Sequence, residues 1–284
     1  MKSLFLLTCL FLACSCSTRL GERTGTPAAA VKVAKFTVEK DVIYTPSGWP
    51  QALPADLYQP EGPGPWPGVL LIHGGSWAGK DRRSDMTSIA QRLAQRGYVV
   101  MNATYRLAPK YLYPAQVDDL QQATLWFRGH ARELNLRADQ LAAFGYSAGA
   151  NLAALLAAKD APKSLRFQAV VAGGTPADLR KFTDSPIVEK YLGGTDEKIP
   201  AVYADASPIT HISRDDPPVF LYHGHLDKLV PIDQAIDYEA ALTKGGIPHE
   251  FLWQNGRGHL AAYFFDKDAI SPSIDFLDRH LRRH

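Results

Sequence analysis

The chain has 284 residues, 46% of them hydrophobic and 21% charged, with a formal net charge of +2. That length and apolar content suit one large domain with a substantial core. The near balance of charge, with no basic stripe interleaved with aromatics, argues against nucleic acid as a partner.

The N-terminus, "MKSLFLLTCLFLACSCS", carries one lysine, an apolar stretch from Leu4 to Ala13 too short to span a bilayer, and then small residues. Residues 1–16 therefore read as an export signal. The 3 cysteines, Cys9, Cys14 and Cys16, all lie in it, so the mature body is expected to hold no disulfide and no cysteine metal site. "FLAC" resembles the cleavage site of bacterial lipoprotein precursors, which makes Cys14 the lipidation candidate, with Cys16 second. Attachment to a membrane by an N-terminal lipid follows from that pattern; an ordinary cleaved signal with incidental cysteines is the alternative. Residues 17–35 begin small, polar and Pro-containing, which suits a tether.

From residue 36 to 284 strand and helix signals alternate. "KFTVEKDVIYT" and "ADLYQP" look like antiparallel strands. "GVLLIHGG" (Gly68–Gly75) and "YVVMNATY" (Tyr98–Tyr105) look like strands buried on both faces, with a helix between them that Ser84 can cap and Gly97 can end. A longer helix is expected from near Pro114 through "VDDLQQATLWFRGHAREL", with Val117, Leu120, Ala123, Trp126 and Phe127 on one side. The strands "QLAAFG", "FQAVVAGG", "PVFLYHG" and "HEFLWQN" follow, with helices at "AGANLAALLAAK", at "DQAIDYEAALTKG" and after Ala269. This alternation predicts a mostly parallel sheet covered by helices on both faces. Residues 175–217 are left over as a small cap, with "PIVEKYLGG" its one clear helical piece.

Ser147 sits on the turn between "QLAAFG" and the helix after it, in Gly145-Tyr146-Ser147-Ala148-Gly149. That is the Gly-x-Ser-x-Gly pattern of a strained nucleophile elbow, in which larger residues at the two glycines would strike the adjacent strand and helix. A plain strand-to-helix turn is the alternative. The helix that begins at Ala148 points its positive end toward the same place. "LIHGGSWAG", after a buried strand, offers Gly74 and Gly75 as backbone donors for an oxyanion, with Ala148 supplying a third amide. A phosphate loop is the other use of such glycines, but no Lys-Ser or Lys-Thr pair follows at the spacing one needs.

A serine nucleophile needs a base and an orienting acid, in the chain order Ser, Asp or Glu, His. Asp227, in the loop after "PVFLYHG", comes before Asp233 and Asp237, which fall in the next helix. His259 lies in the glycine-bordered "GRGHLAAY" loop, whereas His249 begins a strand and His280 and His284 belong to a charged terminal segment. Asp227 and His259 are accordingly the expected acid and base. His223, His225 and Asp227 alternate in "HGHLD" and could share a face as zinc ligands, a competing use of the same aspartate. Trp77 fits either the core or a wall of the site.

Taken together, "HGGSW", "YRLAP", "GYSAGA", "HGHLDKLVP" and "GRGH" resemble the α/β-hydrolase esterases related to the hormone-sensitive-lipase-like and feruloyl-esterase-like groups, from about Asp41 to the C-terminal helix. The resemblance implies the α/β-hydrolase fold with a small cap insertion. It implies Ser147 as nucleophile, Asp227 as acid and His259 as base, and needs neither metal nor cofactor. Three departures stand out: Ala150 where Gly is common, the "GGTPADL" segment (Gly173–Leu179), and the extra histidine in "HGHLD". The resulting expectation is an exported serine ester hydrolase at the cell envelope, in the periplasm or outside the cell. It would act through an acyl-enzyme on short-acyl esters such as acetyl or feruloyl groups on a carbohydrate or other small alcohol. A serine exopeptidase shares this fold, and a non-catalytic binding protein could reuse it, but the first usually carries a large extra N-terminal domain and the second loses a triad member.

Overall fold

The computed structural model describes residues 17–26, 31, 35–158 and 165–282. Residues 1–16, expected to be an export signal and holding Cys9, Cys14 and Cys16, lie outside the described residues. Among the described residues, no helix is long and apolar enough to cross a membrane.

One sheet contains β1 (Ser17–Leu20), β2 (Phe36–Ile43), β3 (Pro54–Pro60), β4 (Trp66–Ile72), β5 (Val99–Ala103), β6 (Leu136–Tyr146), β7 (Ala169–Gly173), β8 (Val219–Gly224) and β9 (His249–Gln254). Their order across it is β1-β9-β8-β7-β6-β4-β5-β3-β2. The six strands β4 to β9 run parallel, and β1, β2 and β3 add antiparallel edges. The helices are α1 (Thr87–Gln95), α2 (Ala115–Gly129), α3 (Ala148–Ala158), α4 (Pro186–Leu192), α5 (Pro200–Asp205), α6 (Ile232–Gly245), α7 (His259–Phe264) and α8 (Lys267–Leu281).

Successive strand residues feed opposite cores. Leu70 and Ile72 of β4, with Leu141 and Ala143 of β6, pack in the cluster that holds α2, α3 and α6 side chains such as Leu120, Leu155 and Leu242. Val69, Leu71, Ala142 and Phe144 pack in the other, with Leu93 of α1 and Ile270 and Leu277 of α8. Each fully buried aliphatic side chain of this kind contributes about 1.5–3 kcal/mol. Such strands are apolar throughout because both faces are covered.

The connections decide where function can sit. From β4 the chain passes through α1 to β5 on one side, then through α2 to β6 on the other side of β4. The reversal leaves the loops after β4 and β6 adjacent at the carboxyl ends of the strands, the place where open α/β sheets bind ligands.

Three local expectations are corrected. The start of the expected tether is strand β1, which pairs antiparallel with β9 and satisfies backbone groups on that otherwise open edge. Arg19, Thr24 and Arg279 all converge on the buried carboxylate of Glu250, so the segment is fastened as well as paired. Ser84 caps no helix: it lies within a 3₁₀ turn, Arg83–Met86, whose start is set by Asp81 accepting the Arg83 amide at 2.9 Å. The helix after Pro114 stops at Gly129, and Asn135 takes a left-handed φ of 50° on the way into β6.

The cap (175–217) holds α4, α5 and two 3₁₀ turns, Leu179–Lys181 and Pro208–Thr210. It is fixed to the body through Asn151 of α3, whose buried amide donates to the carbonyls of Pro176 and Ala206 at 3.0 and 3.1 Å.

Candidate active site

Ser147 is the single residue between β6 and α3, and it adopts a left-handed φ of 55°. For a residue with a Cβ this conformation costs on the order of 1–3 kcal/mol. The surroundings hold it there. The Ser147 amide donates to the Gly173 carbonyl at 2.8 Å, and its own carbonyl accepts from the amides of Ala150 and Asn151 at 2.9 and 3.1 Å. A Cβ on Gly145 would come within 2.1 Å of the Gly149 carbonyl oxygen, and one on Gly149 within 2.2 Å of the Ile72 oxygen. Both contacts are with backbone that cannot move aside, which is why this turn admits glycine alone at those positions.

His259 and Asp227 meet across the end of β8. The His259 Nδ1 lies 2.6 Å from Asp227 Oδ2, with both residues buried. The other carboxylate oxygen, Oδ1, accepts from the amides of Leu229 and Val230 at 3.0 and 2.9 Å. An ionised carboxylate can only accept, so Nδ1 of His259 is the donor and Nε2 is left free to take a proton. His259 is not in a loop as expected; it is the first residue of α7, after Gly258. Its carbonyl accepts from the Tyr146 hydroxyl at 2.6 Å, so the residue between Gly145 and Ser147 also holds His259. Burial, with the nearby Asp227 charge, pushes the Tyr146 phenol well up and keeps it a donor. Gly174, with φ 55°, leaves room for the imidazole, since a Cβ there would lie 3.1 Å from His259 Cε1. This accounts for the second glycine of "GGTPADL".

Gly75, Ser76 and Trp77 take successive left-handed φ values of 108°, 57° and 55°, folding the loop after β4 back beside the serine. A Cβ on Gly74 would lie 2.9 Å from the Tyr146 oxygen and 3.3 Å from Ser147 Cβ. The loop is braced from below. The His73 ring contacts the Gly74 carbonyl through Nδ1 at 2.7 Å and Thr104 Oγ1 through Nε2 at 3.0 Å, and stacks on Tyr105. Ala148 opens α3 beneath the same space, where the first helical amides have no acceptor within the helix. Trp77 is buried, stacks on Tyr191 of α4 at 4.3 Å and donates to Asn151 Oδ1 at 3.2 Å.

Two cavities open on Ser147. The larger, about 240 Å³, is lined by Gly74, Gly75, Ser147, His259, Arg82 and Tyr263, among others. The smaller, about 80 Å³, lies toward the cap, with Trp77, Pro176, Phe182, Ile187 and Val188 in its wall. Sequence reasoning missed Tyr146, Asn151, Arg82 and Tyr263, whose parts depend on which loops meet.

The zinc alternative is not supported. His223 Nε2 lies 2.9 Å from the Val230 carbonyl, the His225 ring stacks on Trp253, and Asp227 faces His259. β8 ends at Gly224, so the alternation that would align the three is broken between the histidines. Among the described residues, no group of three or more His, Cys, Asp or Glu is placed to hold a metal ion.

The extra histidine has a different consequence. His223 is buried, and burial pushes its pKa down, so the ring is neutral with its proton on Nε2 toward Val230. An unfolded imidazole titrates near about 6.5, so below that pH the unfolded state binds the extra proton first. This contribution to stability is therefore complete above the unfolded value and lost as pH falls below it. His223→Gln keeps an N–H for Val230 but no titration. Thermal melts from about pH 7 to 5.5 should show a shallower loss of Tm in this variant than in the wild type. Equal slopes would mean that His223 does not couple proton uptake to unfolding.

Residues 55–242 match the BD-FAE family model. The chain is similar to the probable carboxylic ester hydrolase LipM of Mycobacterium tuberculosis, 32% identical over 187 residues, which cover 60% of this chain and 43% of that protein. It spans about half the length of the curated relatives it matches, 43% to 53% for three of them. Among solved structures it resembles a truncated carbohydrate esterase from gut microbiota, with a TM-score of 0.80, 21% identity and coverage of 92% of this chain and 100% of that one. A propionate-bound thermophilic esterase from Thermogutta terrifontis gives a TM-score of 0.71 at 23% identity, over 84% of this chain and 93% of that one. Both structural matches are likenesses of fold.

Proposed function

The chain belongs to the BD-FAE family, and from that premise we propose that it is a serine ester hydrolase. The observation that carries this is Ser147, held at φ 55° on the elbow, opening on the same cavity as a histidine that donates to a buried aspartate. Ser147 attacks the ester carbonyl while His259 Nε2 takes its proton, and Asp227 stabilises the imidazolium. Amides of Gly74, Gly75 and Ala148 receive the oxyanion, each donor worth about 3–4 kcal/mol in the transition state. The alcohol leaves with the proton from His259. Water then enters, gives its proton to the same histidine and frees the acid from Ser147 Oγ. No step calls for a metal or an organic cofactor.

The substrate class belongs to this proposal: short acyl groups on a carbohydrate or similar small alcohol. A cavity of about 150 Å³ takes a benzene ring. The space toward the cap is about 80 Å³, which suits acetyl or propionyl better than a feruloyl ring. The similarity to proteins described as a carbohydrate esterase and a propionate-bound esterase points the same way. Export through the Met1–Cys16 segment, with lipidation at Cys14, completes the reading and would place the enzyme at the envelope.

An ester series tests the acyl assignment. On p-nitrophenyl esters, kcat/KM should be highest for acetate or propionate and fall at least about tenfold by octanoate, with a feruloylated sugar below its acetylated counterpart. A rise toward long chains would overturn the short-acyl assignment.

A further inference from the structure

The four most exposed large hydrophobic side chains among the described residues are Phe264, Phe265, Leu260 and Leu226, at 70%, 67%, 65% and 61%. They are neighbours at the catalytic end of the sheet. Leu260 and Phe264 lie four residues apart on one face of α7, and Phe265 follows at its end. The loop before α7 joins Leu226 to them: the Arg257 carbonyl accepts from the Leu226 amide at 2.9 Å, and the Arg257 guanidinium donates to the Phe265 carbonyl. Leu260 and Phe264 reach the larger cavity, but Leu226 and Phe265 do not line it. An apolar patch that extends past the cavity marks a contact surface of its own.

The course of β1 points to what meets it. Ser17 stands opposite Gln254 and Leu20 opposite Phe251, so the chain joins the sheet at the carboxyl end of β9, the end that leads into α7. Thr18 Oγ1 accepts from the side-chain amide of Asn255 at 2.9 Å, two residues before Arg257. The segment is fixed there, since Arg19 and Thr24 both bind Glu250 of β9. Cys14 precedes Ser17 by three residues, and three peptide steps reach about 11 Å at most. A lipid on Cys14 would therefore bring the bilayer to this end of the sheet, whatever path residues 14–16 take.

Charge around the patch agrees with such a surface. Lys228 and Lys267 are exposed and stand close to Leu226 and Phe265 in the chain. The acidic groups nearby are engaged, Asp266 by Arg92, Asp268 by Arg257 and Asp227 by His259. Apolar side chains edged by lysines suit anionic phospholipid, whose headgroups meet the ammonium groups while its acyl chains take the rings.

We propose that Leu226, Leu260, Phe264 and Phe265 rest on the lipid surface to which the chain is anchored, so that the catalytic end faces the bilayer. Because Leu260 and Phe264 also line the larger cavity, its mouth opens at the headgroups. The orientation rests on the reading of Cys14 as lipidated. A second copy of the chain would also cover these side chains, but a membrane is what an anchor on Cys14 brings within reach.

The test uses the full chain as the expressing cell processes it, reconstituted with vesicles of phosphatidylethanolamine and phosphatidylglycerol. Tryptophan is introduced as a reporter at Phe264 and, separately, at Val38, an exposed residue of β2 at the opposite edge of the sheet. When brominated acyl chains replace ordinary ones, the added fluorescence of Phe264→Trp should fall at least about twofold and that of Val38→Trp by less than about a tenth. Thermal melts check that both variants fold, and no readout depends on turnover. Equal quenching at the two positions, or a dimer in solution that Phe264→Ser dissociates, would overturn the membrane-facing patch. Mass spectrometry of the same protein reports the anchor independently. Quenching of Phe264→Trp in a chain with no lipid on Cys14 or Cys16 would leave the patch standing and defeat the lipidation reading, and an unquenched Phe264→Trp in a lipidated chain would do the reverse.

Discussion

Ser147→Ala should fold like the wild type and turn over p-nitrophenyl acetate on the order of 10⁴ to 10⁶ more slowly. Members of a triad act as a unit, so the loss of one forfeits nearly the whole contribution of the three. The fold should survive because the contacts that hold position 147 are made by its backbone: the amide to Gly173 and the carbonyl to Ala150 and Asn151. Alanine bears the same left-handed strain as serine, so no new backbone cost is introduced. Initial rates on the purified variant, together with its thermal melt, decide the matter. Activity within tenfold of wild type in a folded protein would move the nucleophile elsewhere.

The elbow was readable in the sequence because its constraint is local. Five consecutive residues must turn from a strand into a helix, and the clashes that exclude side chains at Gly145 and Gly149 are fixed by that turn. Asp227 and His259 were readable for another reason: Asp227 is the first carboxylate after the buried strand β8 and His259 the first histidine after β9, in an order the fold prescribes. What stayed hidden has no local cause. β1 pairs with a strand more than 230 positions away, and nothing in its own four residues announces that partner. α7 is six residues long, too short for a helical period to emerge, so its histidine reads as a loop residue. Tyr146 is legible as an elbow residue, but its hydrogen bond to the His259 carbonyl spans 113 positions. Arg82 and Phe264 belong together only after the loop following β4 and the helix following β9 have been brought to one cavity.

Asp227→Asn should lower kcat by about 10⁴ with a much smaller change in KM, the size of loss that an amide in this position causes in Ser-His-Asp hydrolases. The hydrogen bonds around the carboxylate decide how the new amide must lie. Oδ1 accepts from two backbone amides, Leu229 and Val230, and Oδ2 accepts from His259 Nδ1 at 2.6 Å, with His223 Nε2 farther off at 3.5 Å. Keeping the asparagine oxygen at Oδ1 preserves two bonds. The opposite orientation would set an NH₂ group against two N–H donors and leave both unsatisfied, at about 1–3 kcal/mol each. The amide nitrogen is therefore forced toward His259. It can only donate there, so Nδ1 must give up its proton and carry a lone pair, and the neutral ring then holds its proton on Nε2. A ring in that tautomer cannot accept the proton of Ser147, although every atom stands where it did. The expected signature is thus a folded protein with near-normal KM and a kcat reduced by about four orders of magnitude. Turnover within tenfold of wild type would mean that His259 takes its orientation from something other than Asp227.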